Sequence, residues 1–300
     1  MGKLKTIIWT IVLLWLVAFL LSKSFLIFSE TKMVSEGIAI IEIHSPISVD
    51  SSNSLIQSSL SSTQVVSDIE KAEKNSGIKA IILDINSGGG GPVASREIVE
   101  AVKKTKKPTI ALIREVGASG AYWIASAADY VIADPLSITG SIGVLGSYLD
   151  LSGLLKKYDI KYESLTAGKY KDTGTPYREL TIEERALLQQ KLDLIQEVFI
   201  QDVAKNRKLN KEQVNEIRKA FFYLGIEAKK LNLVDELGGR DLAIEKAKEL
   251  GKIKDGNLVE YKEKKSLLDL LERFSSKVFY AMGQGIGSEL AVKEELNIQT

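Results

Sequence analysis

From Gly37 to Ala133 the chain alternates short β-rich runs with helical segments, and this alternation constrains the fold more than any other feature. Ile38–Ile43 reads as a strand, Ser62–Glu73 as a helix, Lys79–Ile85 as a buried strand and Val93–Lys103 as a helix. Pro108–Ile113 then reads as a strand, Ser119–Ala127 as a short alanine-rich helix, and Tyr130–Ala133 as another strand. Strands separated by helices pair in parallel, because the helix supplies the crossover that a tight turn cannot. Further on, Ile142–Leu145 and Lys161–Ser164 are expected to be extended. Thr181–Arg207 is expected to be a long helix opened by the capping-box signal Thr181-Ile182-Glu183-Glu184. Helices are also expected at Lys211–Phe222, Glu227–Leu231 and Asp241–Leu250. With Pro 5 in the whole chain and no Gly/Ser linker, residues 30–255 read as one α/β domain.

The ends differ in character. Behind Lys3 and Lys5 an apolar run extends from Ile7 to Leu21, broken only by Thr10, and Phe25–Phe28 follows Lys23. About 22 helical residues at 1.5 Å each reach roughly 33 Å, enough to cross the hydrocarbon layer. Residues 1–29 are therefore expected to be an uncleaved transmembrane helix. A single pass is expected, with the amino terminus cytoplasmic and the rest of the chain outside. Residues 256–300 are expected to be a helical tail, in which Leu267, Leu268, Leu270, Leu271, Phe274, Val278 and Phe279 recur at helical spacing.

Composition removes several chemistries. Lys+Arg 40 against Asp+Glu 39 leaves no broad basic field, so nucleic acid is not an expected partner. Cys 0 excludes thiol catalysis, zinc ribbons and disulfides, and no metal or cofactor is expected. His 1 means that any histidine mechanism must use His44.

Two loops that each follow a buried strand carry the candidate chemistry. Asn86-Ser87-Gly88-Gly89-Gly90-Gly91-Pro92 leads into a helix and leaves backbone N–H groups unshielded at its start, where negative charge is stabilised. No Gly-Lys-Ser/Thr follows, which argues against a nucleotide loop. Gly117-Ala118-Ser119-Gly120-Ala121 occupies the next strand-to-helix junction, where small neighbours let a serine stand on a sharp turn. In a parallel sheet both loops open on the same edge. The Gly90 and Gly120 amides are then placed to form an oxyanion hole around a carbonyl attacked by Ser119. The serine needs a base. His44 ends the first strand with no carboxylate evidently placed to orient it, so a Ser-His-Asp triad is disfavoured. A neutral lysine is the alternative, but composition alone does not choose among many.

The ordered motifs do. Asn86–Gly90, Gly117–Ala125, Thr139–Val144, Gly168–Asp172, Pro176–Thr181 and Ala228–Asp235 together resemble the signal peptide peptidases of the SppA type, serine/lysine relatives of ClpP and the crotonases. The resemblance implies a ClpP/crotonase-like α/β fold of repeated ββα-type units behind the membrane helix. It implies Ser119 as nucleophile, Lys171 as general base and Ser141 as the residue that orients that lysine. Lys169 is a local competitor, set aside because Asp172 and Pro176-Tyr177-Arg178 register with the family at Lys171. The implied activity is a membrane-anchored serine endopeptidase acting on remnant signal peptides and other short or unfolded peptides, in a homo-oligomer. Gly88 stands where such families carry proline, and the turn is expected to be looser for it. The competing readings are a non-catalytic assembly subunit of the same fold, a crotonase-like acyl-CoA enzyme and an NfeD-associated peptidase.

Overall fold

The computed structural model describes residues 36–50, 59–254 and 256–261. The expected membrane helix and most of the expected tail lie outside these residues. No helix among the described residues is long and apolar enough to cross a membrane.

Parallel strands form the core. β1 (Gly37–His44), β4 (Ile78–Ser87), β5 (Thr109–Ala118) and β6 (Tyr130–Ala133) lie side by side, with β10 (Asn257–Tyr261) outside β1 and β9 (Glu236–Leu237) outside β6. All of these pairs are parallel. Both faces of the sheet are buried, which is why β1 and β4 read as nearly unbroken runs of Ile, Leu and Ala. Ala39, Ile41, Ile43, Ile81, Leu83 and Ile85 point into the larger core, beneath helices α1 (Ser62–Lys74), α2 (Pro92–Lys104) and α3 (Gly120–Ser126). Ile38, Ile40, Ala80, Ile82 and Leu112 point the other way, against Ala243 and Ala247 of α8 (Arg240–Gly251).

The remaining elements depart further from the sequence pattern. β7 (Ile138–Gly140) extends beside the end of β5, and β8 (Phe222–Leu224) pairs antiparallel with β7. The helix expected over Lys211–Phe222 therefore stops at Ile217 as α6 (Lys211–Ile217), and the chain turns through Ala220 at φ 58° to reach β8. α4 (Ser152–Lys157) and α7 (Gly225–Lys230) are single short helices. Neither Ile142–Leu145 nor Lys161–Ser164 forms a strand: no neighbouring strand is within pairing reach, and extended propensity alone does not make a ladder. Residues 257–261, expected to begin a helical tail, instead add β10 to the sheet, because β1 otherwise presents an open edge there. Short strands β2 (Ile47–Ser48) and β3 (Leu60–Ser61) pair in parallel between β1 and α1.

α5 (Ile182–Arg207) carries the expected capping box, with the Thr181 side chain accepting from Glu184 N–H and the Glu184 carboxylate accepting from Thr181 N–H. Apart from Glu184, its buried residues are Phe199, Ile200 and Val203, so only its C-terminal third packs on the core. The preceding segment, 143–181, contains no buried residue. It is an arm laid outside the core.

Candidate active site

The carboxyl ends of β4 and β5 place the two glycine-containing loops together. Ser119 occupies the β5–α3 junction at φ 53° and ψ −128°, a backbone conformation that costs a non-glycine residue on the order of 1–3 kcal/mol. The conformation is held from both sides: Ser119 N–H donates to Gly140 O at 2.8 Å, and Trp123 N–H donates to Ser119 O at 3.0 Å. Close packing enforces the small neighbours. A Cβ on Gly117 would lie 2.7 Å from Ile113 Cγ2.

Ser141 stands beside Ser119 for a topological reason. β5 and β7 run in register with Ala118 opposite Gly140, so the residues that follow each are neighbours at the same sheet end. Ser141 also has positive φ, at 51°, and its N–H donates to Phe221 O at 3.0 Å. The β7–β8 hairpin therefore braces the second serine as β7 braces the first.

The glycine-rich loop approaches from β4. Ile47 N–H donates to Gly89 O at 3.0 Å and Gly91 N–H donates to Ile47 O at 2.9 Å. Both bonds are made by the neighbours of Gly90, and the Gly90 N–H is left uncommitted among the described residues. Gly120 N–H, first in α3, is uncommitted as well. The two loops touch: a Cβ on Gly120 would lie 3.3 Å from Gly90 N, and one on Gly89 would lie 2.5 Å from Gly120 N and 3.0 Å from Ser119 Cβ. Gly89 adopts φ 95°, so glycine is required there on two counts.

Gly88 stands in a loop that has restraints other than a proline ring. The loop is fixed by the two Ile47 bonds and by the Ser87 hydroxyl, which donates to Ser45 O at 2.6 Å and accepts from Gly89 N–H at 3.1 Å. These bonds restrain the backbone where a proline ring would have done so.

The structure thus brings together Ser119, Ser141, Gly90 and Gly120, and it does not bring Lys171 with them. Lys171 is exposed in a turn of the arm, its N–H bonded to Gly168 O at 3.2 Å, and no hydrogen bond joins it to Ser119 or Ser141. The turn itself is well tied. Arg178 donates to both oxygens of Asp172 at 2.8 and 3.0 Å and to both oxygens of Glu184 at 2.6 and 2.9 Å, while the Thr173 hydroxyl donates to Glu184 Oε1 at 2.9 Å. These bonds hold the Asp172 and Glu184 carboxyls below their ordinary range, with Arg178 the largest cause for each. Lys169, the competitor, is bonded to both oxygens of Glu183 at 2.7 and 2.9 Å, which raises its pKa and keeps it charged. Its side chain is thereby committed to Glu183.

His44 has a carboxylate neighbour that the sequence did not reveal. Its Nε2 lies 3.6 Å from Asp84 Oδ1, and Asp84 is paired with Arg114 at 3.2 Å. These side chains alternate onto the sheet face of Ile40, Ile82 and Leu112, whereas α3, which begins after Ser119, packs in the core of the other face. No hydrogen bond links His44 to Ser119. Ile47 and Gly140 were also missed, since their contributions are backbone groups brought in from distant strands and carry no side-chain signal.

Comparison with known proteins places the chain in a family. Residues 101–254 match the model of Peptidase family S49. The chain is 36% identical over 233 residues to a Methanocaldococcus jannaschii protein provisionally named a protease, covering 76% of this chain and 74% of that one. It is 34% identical to Protease 4 of Haemophilus influenzae, over 61% of this chain and 30% of that one. It is 32% identical to the chloroplastic serine protease SPPA of Arabidopsis thaliana, over 83% of this chain and 37% of that one. The chain thus spans about a third of the length of the two longer relatives. On the family match and the archaeal similarity together, the chain belongs to Peptidase family S49, the family of the SppA and Protease 4 peptidases.

Proposed function

We propose that this protein is a membrane-anchored serine endopeptidase of ClpP/crotonase-like fold, with Ser119 as nucleophile and Lys171 as general base, acting on remnant signal peptides and other short or unfolded peptides. The observation that carries the reading is Ser119 itself, strained at φ 53° with Ser141 and two uncommitted amides around it. An acyl-CoA enzyme using the same amides has no use for a serine held in this way.

The chemistry follows from the groups present. Neutral Lys171 Nζ removes the proton from Ser119 Oγ as the oxygen attacks the peptide carbonyl. The charge that develops on the carbonyl oxygen is met by the Gly90 and Gly120 N–H groups. The protonated lysine then delivers its proton to the departing amine, and water repeats the sequence to release the acyl group. Ser141 orients the lysine through its hydroxyl.

For this a neutral, desolvated lysine is needed, and the single chain exposes Lys171 to water. A second copy of the chain supplies what is missing. The arm exposes Leu145 at 89%, Leu165 at 92% and Leu149 at 68%, and Ile182 at the start of α5 is 90% exposed. An apolar surface of this kind is the signature of an interface. In the proposed homo-oligomer the arm of one copy carries Lys171 to Ser119 of the next.

Labelling with a fluorophosphonate, followed by mass mapping, tests the central assignment. The adduct is expected on Ser119 and is expected to vanish in Ser119→Ala. Full labelling of that variant, or no labelling of the parent protein, rejects the reading.

A further inference from the structure

Gly90 and Gly120 donate from two separate loops, so the gap between their amides is set where the following helices, α2 and α3, meet. Ser95 makes that contact. It lies in the first turn of α2, its N–H bonded to Gly91 O at 2.9 Å. The residue is 0% exposed, and its Oγ has no hydrogen-bond partner. A Cβ on Gly120 would fall 2.2 Å from Ser95 Oγ and 3.1 Å from Ser95 Cβ, so the hydroxyl rests against the Gly120 Cα with no space for a methyl group. That same Cβ position is 3.3 Å from Gly90 N. Hydroxyl, Gly120 and the Gly90 amide converge on one point.

A buried hydroxyl with no partner among the described residues is an exception that calls for an explanation. Alanine would fill α2 at this depth without that loss. What alanine would not supply is the oxygen that fixes how closely Gly120 approaches. We propose that Ser95 is a positioning residue of the oxyanion hole: its Oγ is the spacer that sets the Gly120 N–H at its working distance from the Gly90 N–H. The proposal rests on the peptidase reading above. Ser95 touches neither substrate nor nucleophile and acts through Gly120.

Ser95→Ala removes the oxygen and lets Gly120 settle toward α2, which misplaces one donor by a fraction of an ångström. The expected result is a fall in kcat of about 10- to 100-fold, with KM unchanged within about twofold. Binding of a peptide aldehyde, whose adduct on Ser119 places an oxyanion between the two amides, is expected to weaken in step with kcat. Gly120→Ala is expected to be severely impaired, and in the Ser95→Ala background its added cost is expected to shrink, because the new methyl occupies the vacated space. Thermal unfolding of each variant is recorded alongside. If Ser95→Ala does not fold, Ser95→Cys carries the same test, since the larger sulfur is expected to push Gly120 away and lower kcat.

Wild-type kcat and aldehyde affinity in a folded Ser95 variant overturn the proposal while leaving the peptidase intact. So does a loss confined to KM or to thermal stability, which marks the hydroxyl as helix packing only. A parent protein that neither hydrolyses peptide nor takes the fluorophosphonate overturns the peptidase reading, and this proposal falls with it.

Discussion

At the scale of single residues, the site is built from glycines whose missing side chains are functional space. Gly89 shows this best. At φ 95°, an alanine there would be strained and would also place a methyl 2.5 Å from Gly120 N, where the proposed mechanism seats the carbonyl oxygen. Gly89→Ala is expected to reduce kcat/KM by at least about 100-fold, comparable to losing an oxyanion donor. Far-UV circular dichroism is expected to be unchanged; activity near the parent level would show that the space is not used by substrate. The lysines give a second residue-scale test. Lys169 is paired with Glu183 whereas Lys171 makes no ion pair among the described residues, so Lys169→Met is expected to retain most of the activity and Lys171→Met to lose it by about 10,000-fold. Steady-state hydrolysis of a fluorogenic peptide separates the two, and the reverse ranking would move the base to Lys169.

At the scale of elements, one guanidinium makes four of the bonds that tie the arm to α5 and to itself. Arg178 joins the turn that bears Lys171, through Asp172, to the first turn of α5, through Glu184. Glu184 is also the capping-box partner of Thr181, so one carboxylate both starts the helix and anchors the turn. Arg178→Gln is expected to lower kcat/KM by about tenfold or more by letting the lysine turn wander, while the core unfolds at the parent temperature. The pH dependence has a definite sign. Asp172 and Glu184 have folded-state pKa values below their unfolded values, so their contribution is complete above about pH 5 and is lost as pH falls through the unfolded range near pH 4 toward the folded values. Hydrogen exchange of amides 168–180 is expected to accelerate on acidification in the parent protein. In Arg178→Gln exchange is expected to be fast already at neutral pH. Equal protection in the two proteins at pH 7 would remove the guanidinium from this role.

At the scale of the whole molecule, the core is complete within one chain, whereas the proposed site calls on a second. β1, β4 and β5 are buried on both faces, while residues 143–181 include no fully buried residue. Mixing Ser119→Ala and Lys171→Ala chains tests whether the arm serves a neighbouring copy. Each variant alone is expected to be inactive. Co-assembled chains are expected to regain activity, up to about a quarter of sites if copies pair at random, because the intact serine of one variant meets the intact lysine of the other. No recovery in a mixed assembly verified by mass would place both groups within one chain.

Local chemistry accounts for what the sequence determined by itself. The βα alternation, the long helix with its capping box, the two glycine-containing loops at successive strand ends, and Ser119 and Ser141 all follow from periodicity, turn residues and motif. These are decided over a few neighbouring positions. Only the tertiary structure decided that Ile47 grips the glycine loop, that β8 replaces an expected helical end, that β7 sets Ser141 beside Ser119, that β10 rather than a helix follows residue 256, and that Ser95 backs Gly120. Backbone hydrogen bonds between distant segments and the fit of an oxygen against a bare Cα make those choices, and neither has a side-chain pattern to announce it. The position of Lys171 lies a level further out. The resemblance carried by its motif points to it, and the single chain leaves it exposed, so its proposed role rests on a contact beyond this chain's own fold.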